Sequence, residues 1–133
     1  MKPLLVASIP HTGTMFTLDL LPGRWAPLPG PLETDRKYFC HFSEPHAHRI
    51  IGKCFTIVPI RQYSAVRESW RRRSMDLVDL DRQWDRMLEL RGVFFLPIDI
   101  PVERDERLGA LSATLGVRLK TDWQPTNALP RAS

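Results

Sequence analysis

Two short segments of this chain carry polar residues in positions suited to holding an anion. The first, residues 10–14, follows an apolar run at 4–9 and precedes an amphipathic stretch at 16–21. A strand, a tight loop and a helix in that order collect unpaired backbone N–H groups and the positive end of the helix dipole, and the hydroxyls of Thr12 and Thr14 add donors. The sequence therefore predicts an anion-binding loop here.

The second segment places an arginine at the end of a buried strand and a serine on the helix that follows. The apolar run at 54–60 ends at Arg61, and Ser69 lies eight residues further on. A guanidinium and a hydroxyl separated by one to two helical turns can converge on one dianion. The pair is therefore predicted to form a second phosphate contact.

Strands and helices alternate along the chain, and this order positions both segments. Apolar runs predict strands at 4–9, 38–42, 54–60 and 93–98, and amphipathic patterns predict helices at 16–21, 45–51, 62–75, 76–90 and 104–115. The alternation favours a three-layer α/β/α fold with a mainly parallel sheet of about four strands. Ligands bind at the carboxyl ends of such strands, so residues 10–14, 41–44 and Arg61 are expected on one rim.

The length and composition are typical of one globular domain spanning residues 1–133. Hydrophobic residues make up 43% of the chain and charged residues 26%. Residues 22–36 are rich in proline and glycine and are predicted to form an irregular loop. Residues 121–133 are predicted to form a polar tail, with Trp123 as its one large anchor.

Compartment and membrane association are predicted from the apolar runs and the cysteines. No run approaches the length of a transmembrane helix, and residues 4–9 are too short for a signal peptide. Cys40 and Cys54 lie in or beside strand-like runs without a partner motif, which predicts buried thiols in a reducing compartment. We therefore expect a cytoplasmic protein with no membrane partner.

The net charge of +4 is carried mainly by arginine, with 15 Arg against 4 Lys. Guanidinium groups favour fork-like pairing with phosphate or sulfate, which is consistent with an anionic small molecule or nucleic acid. The densest cluster, residues 71–73, has no interleaved aromatic platform. It is therefore interpreted as a solvated helix face rather than a nucleic-acid site.

Together the two anion-binding segments resemble those of sulfotransferases that use 3′-phosphoadenosine-5′-phosphosulfate (PAPS). Residues 10–16, Pro-His-Thr-Gly-Thr-Met-Phe, resemble the family's 5′-phosphosulfate loop, Pro-Lys/Arg-Ser/Thr-Gly-Thr-Thr-Trp/Leu, and Arg61 with Ser69 resembles its grip on the 3′-phosphate. The nucleoside-triphosphate P-loop and the three-glycine dinucleotide fingerprint do not fit. The resemblance implies a P-loop-like fold and sulfuryl transfer from PAPS to a hydroxyl or amine acceptor, with 3′,5′-diphosphoadenosine (PAP) as product.

The resemblance also assigns roles to individual residues. Cofactor binding falls to Pro10, His11, Thr12, Gly13, Thr14, Met15, Phe16, Arg61 and Ser69. Phe16 would stack on adenine, and Met15 replaces a hydroxyl residue of the family. His11 stands where the family has Lys or Arg beside the leaving phosphate, and its unperturbed pKa of about 6.5 leaves it only partly protonated near neutrality.

The catalytic residues implied are His41, His11 and Glu44. His41 ends the second predicted strand and resembles the family's general base, with Glu44 as runner-up. His41, Glu44, His46 and His48 also form a dense group of metal-ligand types, but their spacing suits neither a helix nor a strand for tetrahedral coordination, so no metal is expected.

The chain departs from the family at its C-terminal side. It lacks the basic Gly-x-x-Gly-x-x-Lys loop that closes over the 3′-phosphate. The tail with Trp123, or a partner subunit in a homo-oligomer, would have to supply those contacts. Most of the usual acceptor pocket is missing as well, so the acceptor is not named. The alternative is a catalytically degenerate relative that binds a phosphorylated nucleotide or another anion without turnover.

Overall fold

The computed structural model describes residues 2–45 and 47–119, so the predicted tail with Trp123, and His46, lie outside the described residues. The described strands are β1 (Leu4–Ser8), β2 (Arg24–Trp25), β3 (Arg36–His41), β4 (Phe55–Ile60) and β5 (Phe94–Pro97). The described helices are α1 (Thr14–Leu20), α2 (Ala47–Ile51), α3 (Tyr63–Arg72), α4 (Leu77–Leu88) and α5 (Pro101–Leu115). None of these helices is long and apolar enough to cross a membrane.

The fold is α/β, with a five-stranded sheet in which every strand is parallel to its neighbours, in the order β2-β3-β1-β4-β5. β1 lies at the centre, and all five of its residues are buried, as expected for a continuous apolar run. Its pairing with β3 sets Ser8 beside His41. The register therefore brings two polar residues together at the carboxyl ends of adjacent strands.

The edge strand β2 corrects the prediction of an irregular loop over residues 22–36. Arg24 and Trp25 pair with Arg36 and Lys37 of β3. Both residues of β2 are exposed. A two-residue strand has no room for an alternating apolar pattern, so the periodicity that revealed the other four strands could not reveal this one.

Neighbouring residues of β1 belong to two different hydrophobic clusters. Leu5 packs in a cluster with side chains of α3 and α4, including Trp70. Val6 packs in a second cluster with side chains of α1 and α5, including Leu18 and Leu111. The change of cluster from one residue to the next follows the twofold alternation of side chains along a strand.

Helix α4 agrees with its predicted amphipathic pattern except at its last residue. Asp76 caps the helix, and its side chain accepts a hydrogen bond of 2.9 Å from the Val78 backbone N–H. Leu80 and Met87 are fully buried, as predicted for the apolar face. The amphipathic pattern of residues 76–90 also places Leu88 on that face, but Leu88 is 56% exposed. Successive helical residues are about 100° apart, so Leu88 turns away from the side that buries Met87.

The two cysteines are free and buried, as their apolar surroundings predict. Burial, with a smaller contribution from the nearby Glu44 carboxylate, raises the pKa of the Cys40 thiol to about 12. A thiol with so high a pKa is almost entirely protonated at neutral pH, and a protonated thiol is a poor nucleophile. Cys40 is therefore a packing residue of the core.

Candidate active site at the carboxyl edge of the sheet

A cavity of about 410 Å³ opens where β1, β3 and β4 end. Its lining residues are Pro10, His11, Gly13, Thr14, Met15, Phe39, His41, Arg61, Ser69 and Arg73. The two anion-binding segments predicted from the sequence, about fifty residues apart in the chain, thus face the same space. Three of the predicted site residues do not line it: Thr12, Phe16 and Glu44.

The loop after β1 is shaped by two residues in the left-handed backbone region. His11 has φ 69° and Gly13 has φ 97°. A Cβ atom on Gly13 would also lie 2.1 Å from Cδ1 of Ile98, just after β5. Glycine adopts this conformation without steric cost, whereas other residues rarely do. Gly13 is therefore required both for the turn and for the close approach of Ile98.

Two side chains from outside the loop hold its backbone in place. The indole Nε1–H of Trp70 on α3 donates to the Pro10 carbonyl at 2.9 Å. Arg61 Nη1, at the end of β4, donates to the His11 carbonyl at 2.9 Å. Because both donors belong to buried residues, the loop is fixed to the core rather than free at the surface.

Thr12 and Phe16 do not have the surroundings that their predicted roles require. The Thr12 hydroxyl donates to the Ile9 carbonyl at 2.6 Å and is fully buried, so its proton is not available to an anion in the cavity. Phe16 is 6% exposed and packs in the second hydrophobic cluster, which leaves no free ring face for adenine. In the structure the Thr12 hydroxyl and the Phe16 ring face the protein interior, so the predicted contacts of both to a nucleotide stay predictions. The inward-facing pattern of α1 places residue 16 in the core.

Arg61 is a buried cation without a full set of hydrogen-bond partners. Arg61 is only 4% exposed, and its Nε has no hydrogen-bond partner among the described residues. Burial lowers the pKa of Arg61 from its ordinary value; the Asp99 carboxylate opposes this, and Arg72 and Arg73 add to it. Arginine nevertheless stays charged at neutral pH. A buried guanidinium charge is costly, and an anion in the cavity that Arg61 lines would compensate it.

Ser69 and Arg73 form a pair one helical turn apart on α3 and the residue that follows it. Arg73 Nη1 donates to the Ser69 hydroxyl at 2.5 Å and to the Ser69 carbonyl at 3.1 Å. Arg73 is exposed, as expected for the solvated face that it was predicted to share with its two neighbours, but it also lines the cavity. Arg71 does face solvent, where it pairs with Glu68 at 2.5 Å. The spacing of four residues from Ser69 is the sequence signal that separates Arg73 from the rest of the triplet.

His11 is an exposed residue surrounded by positive charge. Partial desolvation lowers the pKa of His11 below 6.5, and Arg73, His41 and Arg61 lower it further. No Asp or Glu lines the cavity in the part of the chain that the structure describes. His11 is therefore mostly neutral at pH 7 in the free protein, unlike the Lys or Arg of the family pattern.

The imidazole of His41 is oriented by Ser8, a residue not predicted to belong to the site. His41 Nδ1 lies 3.3 Å from both the Ser8 hydroxyl and the Ser8 carbonyl oxygen. The carbonyl can only accept, so the proton belongs on Nδ1, which leaves Nε2 as the basic nitrogen. The Ser8 hydroxyl is in turn 2.5 Å from the Thr14 hydroxyl. A polar residue ending an otherwise apolar strand was the available signal for Ser8.

Glu44 supports the backbone of His41 and does not face the cavity. Its carboxylate Oε2 accepts from the His41 backbone N–H at 3.3 Å, and its own N–H donates to the His41 carbonyl at 3.0 Å. This turn fixes the end of β3. Among residues 2–45 and 47–119, no group of three or more His, Cys, Asp or Glu side chains is arranged to hold a metal ion.

An aromatic side chain not predicted for the site, Phe39, lines the cavity beside His41. Its ring is edge-on to the His41 ring at 6.1 Å and stacks on the exposed Trp25 at 5.8 Å. Residues 39 and 41 share one side of β3 because side chains alternate along a strand. The cavity therefore has an apolar aromatic wall next to the candidate base, as well as its arginines.

Comparison of the chain with protein-family models, with curated proteins and with solved structures gives no match in any of the three. A functional assignment therefore depends on the chemistry of this cavity. The arrangement combines a buried arginine, a second arginine that is hydrogen-bonded to a serine, and a histidine whose Nε2 is the basic nitrogen. Such a set can hold an anion and accept a proton from a group placed beside it.

Proposed function

We propose that this protein is a short PAPS-dependent sulfotransferase. The observation that carries the proposal is the convergence of the loop at residues 10–15 with Arg61 and Ser69 on one cavity. These are the two segments whose sequence resembles the family's 5′-phosphosulfate loop and 3′-phosphate pair. A common rim is expected if both phosphates belong to one nucleotide.

The proposal includes a P-loop-like fold with three layers. The all-parallel sheet and the loop between β1 and α1 support it. So do the two separate hydrophobic clusters, since one contains side chains of α3 and α4 and the other contains side chains of α1 and α5. In this arrangement α1 and α5 would cover one face of the sheet, and α3 and α4 the other.

The residues present fit the phosphates of PAPS. Arg61 brings a buried cation to the cavity, and Ser69 lines the same cavity with a hydroxyl, so this pair would hold the 3′-phosphate. The backbone of residues 11–14 would hold the 5′-phosphosulfate. When bound, PAPS supplies the sulfuryl group and a phosphate leaving group.

The remaining residues have roles in proton transfer and charge. His41 Nε2 would accept the proton of the acceptor hydroxyl or amine, while Ser8 keeps Nδ1 protonated and the ring in place. His11 would stabilise charge on the leaving phosphate once protonated. Arg61 also holds the His11 carbonyl and so positions the loop.

The second candidate function is binding of a phosphorylated nucleotide or another anion without turnover. It is favoured by His11, whose pKa is lowered by burial and by the surrounding cations, so that the permanent charge of the family's Lys or Arg is missing. The inward-facing hydroxyl of Thr12 removes one more donor from the loop. Both candidates use the same site, and they differ only in chemistry.

Binding of PAP tests the shared part of the two candidates. At PAP concentrations about a hundredfold above its dissociation constant, we expect stabilisation by about 2.7 kcal/mol, because a ligand that binds only the folded state shifts the unfolding equilibrium by mass action. Thermal unfolding with and without millimolar PAP measures this, with adenosine as the control that lacks both phosphates. An unchanged unfolding temperature would reject the sulfotransferase proposal and the binding of PAP, and of the second candidate it would leave only the binding of another anion.

Transfer of labelled sulfate separates the two. Incubation with labelled PAPS and a panel of hydroxyl and amine acceptors should give a labelled product if the enzyme proposal is correct. The Arg61→Ala variant, which lacks the proposed contact to the 3′-phosphate, is the negative control. Protein that binds PAP but labels no acceptor would be assigned to the second candidate.

A further inference from the structure

We propose that Arg73 is a third cation of the anion site and that it also holds Ser69 as a hydrogen-bond donor to the bound anion. The identification of that anion as the 3′-phosphate of a nucleotide depends on the proposed function. The presence of Arg73 in the site depends only on the geometry of the cavity.

The hydrogen bonds of Arg73 use one of its nitrogens and leave the others available. Nη1 makes both contacts to Ser69, one to the hydroxyl and one to the carbonyl. Nε and Nη2 have no hydrogen-bond partner among the described residues. A guanidinium carries five donors in a planar fork, so three remain for the oxygens of an anion.

The contact to Ser69 also decides what the serine hydroxyl can do. Its oxygen accepts a hydrogen bond from Arg73 at 2.5 Å. A hydroxyl has a single proton and rotates to suit its partners, so an oxygen that already accepts from Arg73 directs its own proton elsewhere. Ser69 lines the cavity, and that proton is then free for an anion there.

The charge of Arg73 is felt throughout the cavity and is not neutralised by a carboxylate. Arg73 lowers the pKa of both His11 and Arg61, so its charge lies close to both. In the described part of the chain it makes no ion pair; the nearby Glu68 pairs with Arg71 instead. The two arginines together carry a charge of +2, which balances that of a phosphate dianion, and protonation of His11 would add to the attraction.

The test compares Arg73→Ala with Arg71→Ala, an exposed arginine of the same triplet that does not line the cavity. Isothermal titration calorimetry is carried out with two probes, PAP and inorganic phosphate. Arg73→Ala is expected to weaken both by about tenfold, since one charge-assisted contact is worth about 1.4 kcal/mol or more. Arg71→Ala should leave both affinities within a factor of about two. Arg73 is exposed, so the unfolding temperature of the ligand-free variant should be unchanged.

Each outcome decides between the two claims. If PAP binds and Arg73→Ala binds it as tightly as wild type does, Arg73 is not in the site and the proposed function stands. If PAP does not bind but phosphate binding depends on Arg73, the proposed function fails and the inference holds. If Arg71→Ala weakens binding as much as Arg73→Ala, the effect is general surface charge and the inference is rejected. If neither probe binds, both claims fail.

A double-mutant cycle with Ser69→Ala tests the positioning role. If Arg73 orients Ser69, the loss of affinity in the double variant will be smaller than the product of the two single losses. Independent effects that multiply would show that Arg73 contributes charge alone. Arg73→Lys keeps the charge but loses the fork, and it should recover only part of the affinity.

Discussion

Arg61 differs from Arg73 in being almost completely buried while it lines the same cavity. Burial removes water as a competing partner, so a contact between the Arg61 guanidinium and an anion is worth more than the same contact at the surface. Arg61 also supports the loop through the His11 carbonyl. Its replacement therefore affects both binding and the position of the loop, and the two effects must be separated.

The Arg61→Ala variant should lose affinity for PAP by roughly 10- to 150-fold, the value of a charge-assisted hydrogen bond of about 1.5–3 kcal/mol. Adenosine 5′-monophosphate lacks the 3′-phosphate and should be affected far less. Titration of both nucleotides against wild type and variant measures the loss of affinity for each, and the two losses are then compared. Equal weakening of the two would place the role of Arg61 in the fold or in the 5′ site instead.

His41 is the residue whose replacement should affect turnover but not binding. His41→Ala should slow sulfuryl transfer by roughly a hundredfold or more, the usual contribution of a positioned general base, with little change in PAP affinity. The matched variant is Glu44→Gln, because Glu44 holds the same turn without facing the cavity. If Glu44→Gln abolishes transfer while His41→Ala retains it, the assignment of the base is reversed.

At the scale of the elements, four strands and five helices were predictable because each has either a continuous apolar run or a helical period. The burial of residues at the ends of these elements was not predictable in the same way, as the exposed Leu88 at the end of α4 shows. The meeting of residues 10–14 with Arg61 was predictable too, since parallel strands end on one side of their sheet. Hydrogen bonds between distant residues, such as the one from Trp70 to the Pro10 carbonyl, leave no trace in the local pattern. The same holds for the inward rotation of the Thr12 hydroxyl.

Helix α3 fixes the anion-binding loop to the core through Trp70, and this connection can be tested. Trp70→Phe keeps an aromatic ring but leaves the Pro10 carbonyl without its donor and creates a small cavity. We expect a loss of about 2–4 kcal/mol in the free energy of unfolding and weaker PAP binding. Denaturant unfolding, followed by PAP titration of the folded variant, measures both.

The control for Trp70→Phe is Trp84→Phe on helix α4. Trp84 is half-buried and packs edge-on against Tyr63, and within the described residues it makes no hydrogen bond to the loop. Trp84→Phe should lower the free energy of unfolding by less than Trp70→Phe does, and it should leave the affinity for PAP unchanged. A Trp70→Phe variant that loses stability but binds PAP normally would show that the loop keeps its shape without this anchor.

At the scale of the whole molecule, the net charge is positive, and the charged groups that line the cavity have the same sign. The chain carries a net charge of +4. The cationic or titratable residues that line the cavity are two arginines and two histidines, and no Asp or Glu lines it in the described part of the chain. Such a field attracts anions from solution and opposes the protonation of His11. Anion binding and His11 protonation are therefore linked, each favouring the other.

This linkage predicts opposite pH dependences for the stability of the free protein and for its affinity for PAP. In the free protein the pKa of His11 lies below its unfolded value of about 6.5, so the unfolded state takes up the proton first and stability falls as pH falls through that value. A bound dianion raises the pKa of His11, so PAP should bind more tightly as pH falls from 8 to 6.5. One linked proton limits the gain to about tenfold per pH unit. The phosphate's own protonation, with a pKa of about 6, opposes the effect only at lower pH.

Calorimetric titration with PAP from pH 8 to 6.5 measures how steeply the affinity changes with pH. Three variants then identify the residue that takes up the linked proton. His11→Asn should bind with an affinity that hardly changes with pH, and His11→Lys should bind tightly throughout because its charge is permanent. His41→Gln removes the other titratable group facing the cavity and should keep the wild-type slope. A slope that disappears in His41→Gln but persists in His11→Asn would transfer the linked proton to His41. His11 would then contribute to the loop by its left-handed backbone and not by its charge.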